Sequence, residues 1–219
     1  MSAATEGASG GARTREGVFA HWPNRVTAIR FVGALVLFVL LAVHGEGVGT
    51  GERARPDTAM AVCFVLFVLV AATDWLDGWL ARRGKHVTAF GRIADPFVDK
   101  ILVLGALIFL TALPWARTYL PSWMVVLVLS REMLVTGIRG YAESQGVAFP
   151  ADRWGKIKLV VQCIAIGALL GLHGLPWPDV LVRPIEVVAH VSVWATLVST
   201  VGSGVSYVVK SARLLGGTS

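Results

Sequence analysis

The chain has 219 residues, of which 55% are hydrophobic and only 16% charged, with a mean hydropathy of +0.66. Soluble globular domains carry about 25% charged residues, so this composition excludes an ordinary soluble domain. The formal net charge of +6 leaves two readings open, a nucleic-acid partner or an anionic membrane surface.

The opening MSAATEGASGGARTREG is polar and rich in Gly, Ala and Ser, and residues 1–20 read as a disordered cytoplasmic tail. It is too polar for a signal peptide. The first apolar run ends LLAVHGEG without a small-x-small cleavage site, so that run is expected to remain as a helix. Six apolar stretches follow one another, each close to the ~20 residues a helix needs to span a bilayer: about Val26–His44, Thr58–Trp75, Ala94–Leu113, Ser122–Gly137, Ile157–Leu172 and Val187–Val209. The fourth and fifth are short by hydropathy and are expected to extend past their charged flanks toward the cytoplasm. The expectation is an all-α, polytopic membrane protein with six transmembrane helices in one bundle, a single domain over residues 21–213. Cys63 and Cys163 both lie inside apolar runs and read as small buried hydrophobes.

With the N-terminus cytoplasmic, six spans return the C-terminus to the same side. Fourteen Lys and Arg then fall in or near cytoplasmic segments, against Arg53, Arg55, Arg117 and Arg183 outside, with Lys100 and Arg131 within spans. This is a positive-inside pattern. Basic residues facing an anionic leaflet account for the net charge. No nucleic-acid partner is expected, since basic and aromatic residues do not interleave.

The second span runs into DWLDGWLARRGKHVTAFGRIADPFVD, residues 74–99. Carboxylates near bilayer depth cost several kcal/mol each unless paired, hydrated or metal-bound. On helices, Asp74, Asp77, Gly78 and Ala81 share one face with Arg82 a step round it, and Gly91, Asp95 and Asp99 share another. The short connector makes the two helices antiparallel neighbours with their acidic faces at the cytoplasmic end. Four converging carboxylates repel one another, and a divalent cation removes the conflict. Hard oxygen donors without His or Cys select Mg²⁺ or Mn²⁺. Gly78, Ala81 and Gly91 bare the backbone, and Arg82 offers a fork for phosphate. Together these point to a nucleotide diphosphate. Simpler readings stand beside this one: Asp95 before Pro96 as a helix cap, and Asp74 and Asp77 as helix-end partners of Arg82 and Arg83.

The pattern D-x-x-D-G-x-x-A-R-x8-G-x-x-x-D-x-x-x-D is met at every fixed position, by Asp74, Asp77, Gly78, Ala81, Arg82, Gly91, Asp95 and Asp99, and resembles the signature of the CDP-alcohol phosphotransferases. That resemblance implies two divalent ions held by Asp74, Asp77, Asp95 and Asp99. It makes Asp99 also the base for the acceptor hydroxyl, and sets Gly78, Ala81, Arg82 and Gly91 against the cytidine nucleotide. It also implies a homodimer in the cell (plasma) membrane, with the active site and both termini cytoplasmic.

Three further segments bear on the acceptor. HWPNRVTAIR contains the only asparagine in the chain. Asn24 as cap and Thr27 one turn on point polar groups to the cytoplasmic end, and the stretch resembles the P-N-x-x-T-x-x-R opening of phosphatidylglycerophosphate synthases, where it borders the CDP-diacylglycerol site. In SREMLVTGIR, Arg131 and Glu132 sit inside an apolar helix, with Arg139 on approximately the face of Arg131. Buried arginine needs an anion, either Glu132 in a structural pair or a bound phosphate. PADRWGKIK brings Arg153, Lys156 and Lys158 to the start of the fifth helix. This region also resembles phosphatidylglycerophosphate synthases, which implies sn-glycerol 3-phosphate as acceptor and CDP-diacylglycerol as donor. Phosphatidylinositol phosphate synthase and cardiolipin synthase of the same fold are the near rivals. Outside enzymes, the rival is a divalent-cation transporter, which needs polar groups through the full membrane depth.

Overall fold

The computed structural model describes residues 22–45, 56–81, 89–146 and 153–215, with side chains for all of these except 22–24, 74–96, 99, 153–154 and 213–215. Six α-helices account for nearly all of them: α1 (Trp22–His44), α2 (Thr58–Ala81), α3 (Ala89–Ala112), α4 (Ser122–Ser144), α5 (Arg153–Gly174) and α6 (Asp179–Leu215), with one 3₁₀ turn at Ala116–Thr118. There is no strand among the described residues. The all-α, six-helix expectation holds.

Several boundaries differ from those read off hydropathy. Helix α4 continues past Gly137 to Ser144 and α5 begins at Arg153, both in the expected direction. In the added length of α4, Arg139 is met by the Tyr207 hydroxyl on α6. Helix α6 starts at Asp179 and runs through Pro184, well before Val187. Helix α3 starts at Ala89, so Asp95 and Pro96 lie within it and the helix-cap account of Asp95 fails. Asn24 is not a cap either, because α1 already begins at Trp22.

Arg25–His44, Gly155–Gly174 and Asp179–Ala212 are long and apolar enough to cross a membrane, and Thr58–Thr73 and Lys100–Ala112 are shorter apolar segments. Large hydrophobic side chains such as Ile29, Val32, Val39 and Val43 on α1 stand exposed along these helices, as lipid contact requires. The chain is an integral membrane protein.

The core is a set of leucines and their neighbours, among them Leu37, Leu41, Phe67, Leu107, Leu110, Ile166, Leu169 and Leu170, each at most 2% exposed. Around it α1 packs on α2 and α3, α2 on α5, and α5 on α6, which also meets α4. Lipid supplies no hydrophobic drive for helix association, so close van der Waals fit has to do so. Gly105 on α3 shows the fit, since a Cβ there would lie 2.1 Å from Cζ of Phe38 on α1, whose ring stacks on Phe109 at 5.2 Å. Helix α6 brings small hydroxyl residues to its contacts, with Ser192, Thr196, Ser199 and Ser203 buried and donating back to carbonyls of their own helix at 2.6–3.0 Å. Such internal satisfaction lets polar side chains sit inside a membrane bundle.

One end of the bundle is pinned shut. Trp115 donates its indole N–H to the carbonyl of Gly45 at 3.1 Å and lies against His173 with ring centres 4.0 Å apart. The Asp57 N–H donates to the carbonyl of His173 at 2.9 Å, and Asp57 caps α2 by accepting from the Met60 N–H at 3.0 Å. The ends of α1, α3 and α5 and the start of α2 therefore meet here. Helices α1, α3 and α5 run toward this pinned end and α2 runs away from it. By that direction alone, the C-terminal turns of α2 and the N-terminal turns of α3, which carry the four aspartates, come to the opposite end of the bundle.

At the same pin, a Cβ on Gly174 would lie 2.6 Å from the backbone N of Ala61. Backbone cannot swing aside as a side chain can. Gly174→Ala is therefore expected to destabilise by about 1–3 kcal/mol, read as a lower unfolding temperature in detergent. Gly137→Ala, with nothing within 4 Å of its added methyl, should be neutral or mildly stabilising.

Candidate active site

The described part of the site is built on the inner faces of α3, α4, α5 and α6. On α4, Arg131 and Glu132 are 9% and 8% exposed, and Lys158 on α5 is 5% exposed. Isolated, each of these charges would be prohibitively costly. They are held together instead. Glu132 Oε1 accepts from Arg131 Nη1 at 2.7 Å and also from Lys158 Nζ. The other arm of Arg131 crosses to α6, where Nε donates to Ser203 Oγ at 3.0 Å. Two turns along α4, Arg139 Nη2 donates to the Tyr207 hydroxyl at 2.7 Å. The Tyr207 ring lies 5.5 Å from the Arg131 guanidinium and 5.9 Å from that of Arg139, so one aromatic ring stabilises two cations. On α3, Lys100 Nζ donates to Thr136 Oγ1 at 2.5 Å, and that hydroxyl donates to the Glu132 carbonyl at 2.7 Å.

These groups surround a cavity of about 280 Å³ whose walls, among the described residues, include Lys100, Arg131, Arg139, Lys156 and Lys158 with one carboxylate, Glu132. Among the described residues, cations outnumber anions five to one around a small space. A cavity walled in this way takes a compact polyanion.

The sequence-derived cations thus fall into two groups. Arg131, Arg139, Lys156 and Lys158 come together at one cavity. Arg153 is the first residue of α5 at the same end, with a side chain outside those described. Arg131 and Lys158 are not bare cations awaiting a ligand, because Glu132 already engages both. The open choice between a structural pair and a phosphate site resolves as a three-way ion cluster that also forms a cavity wall. Lys100, Tyr207 and Gln162 line the cavity too and had not been assigned a role from sequence. Their signal was faint but present, as Gln162 lies one helical turn beyond Lys158 in an otherwise apolar run.

The acidic constellation is described at backbone level. Asp74 and Asp77 lie in the closing turns of α2, and Asp95 and Asp99 in the opening turns of α3. Gly78 and Ala81 share the α2 segment, and Gly91 the α3 segment. Both segments are helical, so the i, i+3 and i, i+4 spacings do place each pair of acids on one face. Asp99 immediately precedes Lys100, a wall of the cavity. Arg82 lies outside the described residues, and the Asn24 side chain outside those described. Thr27 on α1 is buried at 4% exposure. As a donor set, four carboxylates with no His or Cys suit a hard divalent cation. Glu132, on the cavity wall, is committed to Arg131 and Lys158.

Comparison with known proteins gives a consistent picture. The model of the CDP-alcohol phosphatidyltransferase family matches residues 20–202. A Bacillus subtilis (strain 168) protein named CDP-diacylglycerol--glycerol-3-phosphate 3-phosphatidyltransferase is 37% identical over 191 residues, covering 86% of this chain and 94% of that protein. A Mycobacterium tuberculosis (strain H37Rv) protein named probable phosphatidylglycerophosphate synthase is 37% identical over 198 residues, covering 90% and 85%. A Rickettsia typhi protein with the same name as the Bacillus one is 29% identical over 186 residues, covering 84% and 93%. With the eight fixed positions of the aspartate motif present and the match running across most of the bundle, this chain belongs to the CDP-alcohol phosphatidyltransferase family.

Proposed function

We propose that the chain transfers the phosphatidyl group of CDP-diacylglycerol to sn-glycerol 3-phosphate, giving phosphatidylglycerol phosphate and CMP. The carrying observation is the cavity whose described walls bring five cations and the carboxylate of Glu132 together, with Lys100 following Asp99 directly on α3. The names of the relatives point to the same pair of substrates.

The phosphate of the acceptor sits among Arg131, Arg139, Lys156 and Lys158, with Arg153, the first residue of α5, contributing a further cation, and the glycerol end is oriented toward the acidic helix ends. Asp99 takes the proton from the attacking hydroxyl. That oxygen bonds to the lipid-bearing phosphorus, the bond from phosphorus to the CMP oxygen breaks, and CMP leaves with the electron pair. Gly78, Ala81 and Gly91 let the nucleotide approach the backbone, and Arg82, Asn24 and Thr27 hold it. Asp74, Asp77, Asp95 and Asp99 would hold Mg²⁺ or Mn²⁺, in two ions by family resemblance, and the metal supplies charge neutralisation at the pyrophosphate. The diacylglycerol chains remain in lipid beside the exposed apolar helix faces. All six helices cross the cell (plasma) membrane as one domain over residues 21–213, with residues 1–20 and both termini cytoplasmic, and the chain works as a homodimer.

Inositol phosphate would suit the same cations, so a phosphatidylinositol phosphate synthase is the one rival acceptor chemistry that the cavity favours. A lipid acceptor, as in cardiolipin synthase, would leave the inward cations without a purpose. A transporter would need a polar route past Leu37, Leu41, Leu107, Leu110 and Leu169, all buried core, and past the Trp115–His173 pin.

The test is CMP release by the purified chain with CDP-diacylglycerol, Mg²⁺ and either sn-glycerol 3-phosphate or inositol phosphate. Turnover with glycerol 3-phosphate is expected to exceed that with inositol phosphate. Folded protein that releases no CMP with either acceptor would refute the proposed chemistry.

A further inference from the structure

Two buried nitrogens of the cavity wall have no hydrogen-bond partner among the described residues, Nε of Arg139 and Nε2 of Gln162. Arg139 is still anchored through Nη2 on Tyr207, whereas Gln162 is neutral and has no ion pair to hold it. Gln162 on α5 lines the cavity and is 2% exposed, yet its Nε2 has no hydrogen-bond partner among the described residues. A buried amide N–H left unmatched is unfavourable, and native proteins rarely keep one without a reason. The surrounding pattern sharpens the anomaly. Arg131, Glu132, Lys158, Ser203 and Tyr207 are all engaged with one another or their neighbours. Arg139, though its Nε is unmatched, is held by Tyr207, so Gln162 stands apart as the neutral wall residue with an unmatched donor. Thr200 Oγ1 is the contrasting case, equally buried and unpartnered but not part of the cavity wall.

Resting on the acceptor reading given above, we infer that Gln162 is an acceptor-binding residue whose carboxamide N–H donates to an oxygen of the bound phosphate ester. The residue lies four positions after Lys158, hence one turn along the same face of α5. It therefore sits beside the cation that the phosphate would meet and further into the bundle. A neutral donor there completes what cations do poorly. It recognises a ligand oxygen by direction and adds no charge to a cavity already rich in it. With no ligand present, the amide remains unmatched. Ligand entry supplies the acceptor atom, so the cost carried by the empty protein becomes selectivity for the loaded one.

Two substitutions in the full chain, purified in detergent, separate this role from simple packing. Gln162→Met keeps the shape and removes the donor. It is expected to raise KM for sn-glycerol 3-phosphate about tenfold, the loss of roughly one hydrogen bond, and to leave KM for CDP-diacylglycerol within about twofold. Its unfolding temperature without ligand should equal or exceed that of the parent, because an unmatched polar group has been removed. Thr200→Val, which removes an unmatched donor away from the cavity, should leave both KM values unchanged. If Gln162→Met does not fold, Gln162→Asn withdraws the same amide by one methylene and gives the same readout.

Melting curves with sn-glycerol 3-phosphate and with inorganic phosphate as protectants identify the oxygen. Weaker protection by both means that a phosphate oxygen accepts, and weaker protection by the glycerol ester alone means that a hydroxyl does. A folded variant with unchanged KM for glycerol 3-phosphate overturns the inference. So does a lower ligand-free unfolding temperature with both KM values intact. Failure of the parent to turn over glycerol 3-phosphate would be a different result, removing the acceptor reading itself and this inference with it.

Discussion

An Asp99→Asn variant is expected to release CMP at least about a thousandfold more slowly than the parent while remaining folded. Asparagine nearly preserves the shape of aspartate and tolerates the helical position, so α3 should form as before. What disappears is a proton acceptor and one negative charge from the set of Asp74, Asp77, Asp95 and Asp99. General-base removal alone is worth about 10²–10⁴ in rate, and weaker metal affinity adds to it.

A merely structural aspartate would behave differently in melting experiments. Removing one of several mutually repelling carboxylates should maintain or raise the unfolding temperature in metal-free buffer. Mg²⁺ should raise the unfolding temperature of the parent, because binding to the native state alone stabilises it, and should raise that of the variant much less. Equal Mg²⁺ protection of parent and variant would remove Asp99 from the metal set. Unimpaired CMP release would remove it from the chemistry.

The second large effect concerns stability. Glu132→Gln should cost about 3–5 kcal/mol, read as a fall of about 10 °C in the unfolding temperature for a chain of this size. Glu132 Oε1 accepts from both Arg131 and Lys158, and all three side chains are buried. Neutralising the carboxylate leaves two cations facing one oxygen with little water to screen them.

Two companion measurements identify the cause. The double variant Glu132→Gln with Lys158→Met should recover much of the loss, because removing one cation ends the repulsion. Inorganic phosphate should protect Glu132→Gln more than it protects the parent, since the cavity is then one charge more positive. A Glu132→Gln protein as stable as the parent would show that the cluster contributes nothing net to the fold.

How much of this was legible beforehand follows from the kind of signal each residue carries. Aspartates in an apolar chain are conspicuous, and their i, i+3 and i, i+4 spacing needs only a helix to become a shared face. The six helices were legible for the same reason, as lipid imposes a length and a composition. Boundaries were read less well. Hydropathy treats a proline-containing turn as an end, whereas α6 begins before Pro184. The run of α4 past Gly137 is in the direction expected, though hydropathy does not fix its length. Charged turns can remain in the bundle when another helix meets their charge, and no local pattern announces that partner. Arg131 illustrates the limit. Its neighbour Glu132 suggested a pair, but Lys158 lies 26 positions from Glu132 and Ser203 lies 72 from Arg131.

By itself the sequence determined that this chain lives in lipid as a helical bundle, carries four carboxylates in helical register and bears the motif of its family. These properties are periodic or local, so they survive without knowledge of which helix touches which. Tertiary structure alone decided that α3, α4, α5 and α6 enclose one cavity. It also decided that Glu132 binds two of the cations around that cavity, and that the Gln162 amide on its wall is left unmatched. Each of these depends on contacts between residues far apart in the chain, and only packing selects among the many partners that composition allows.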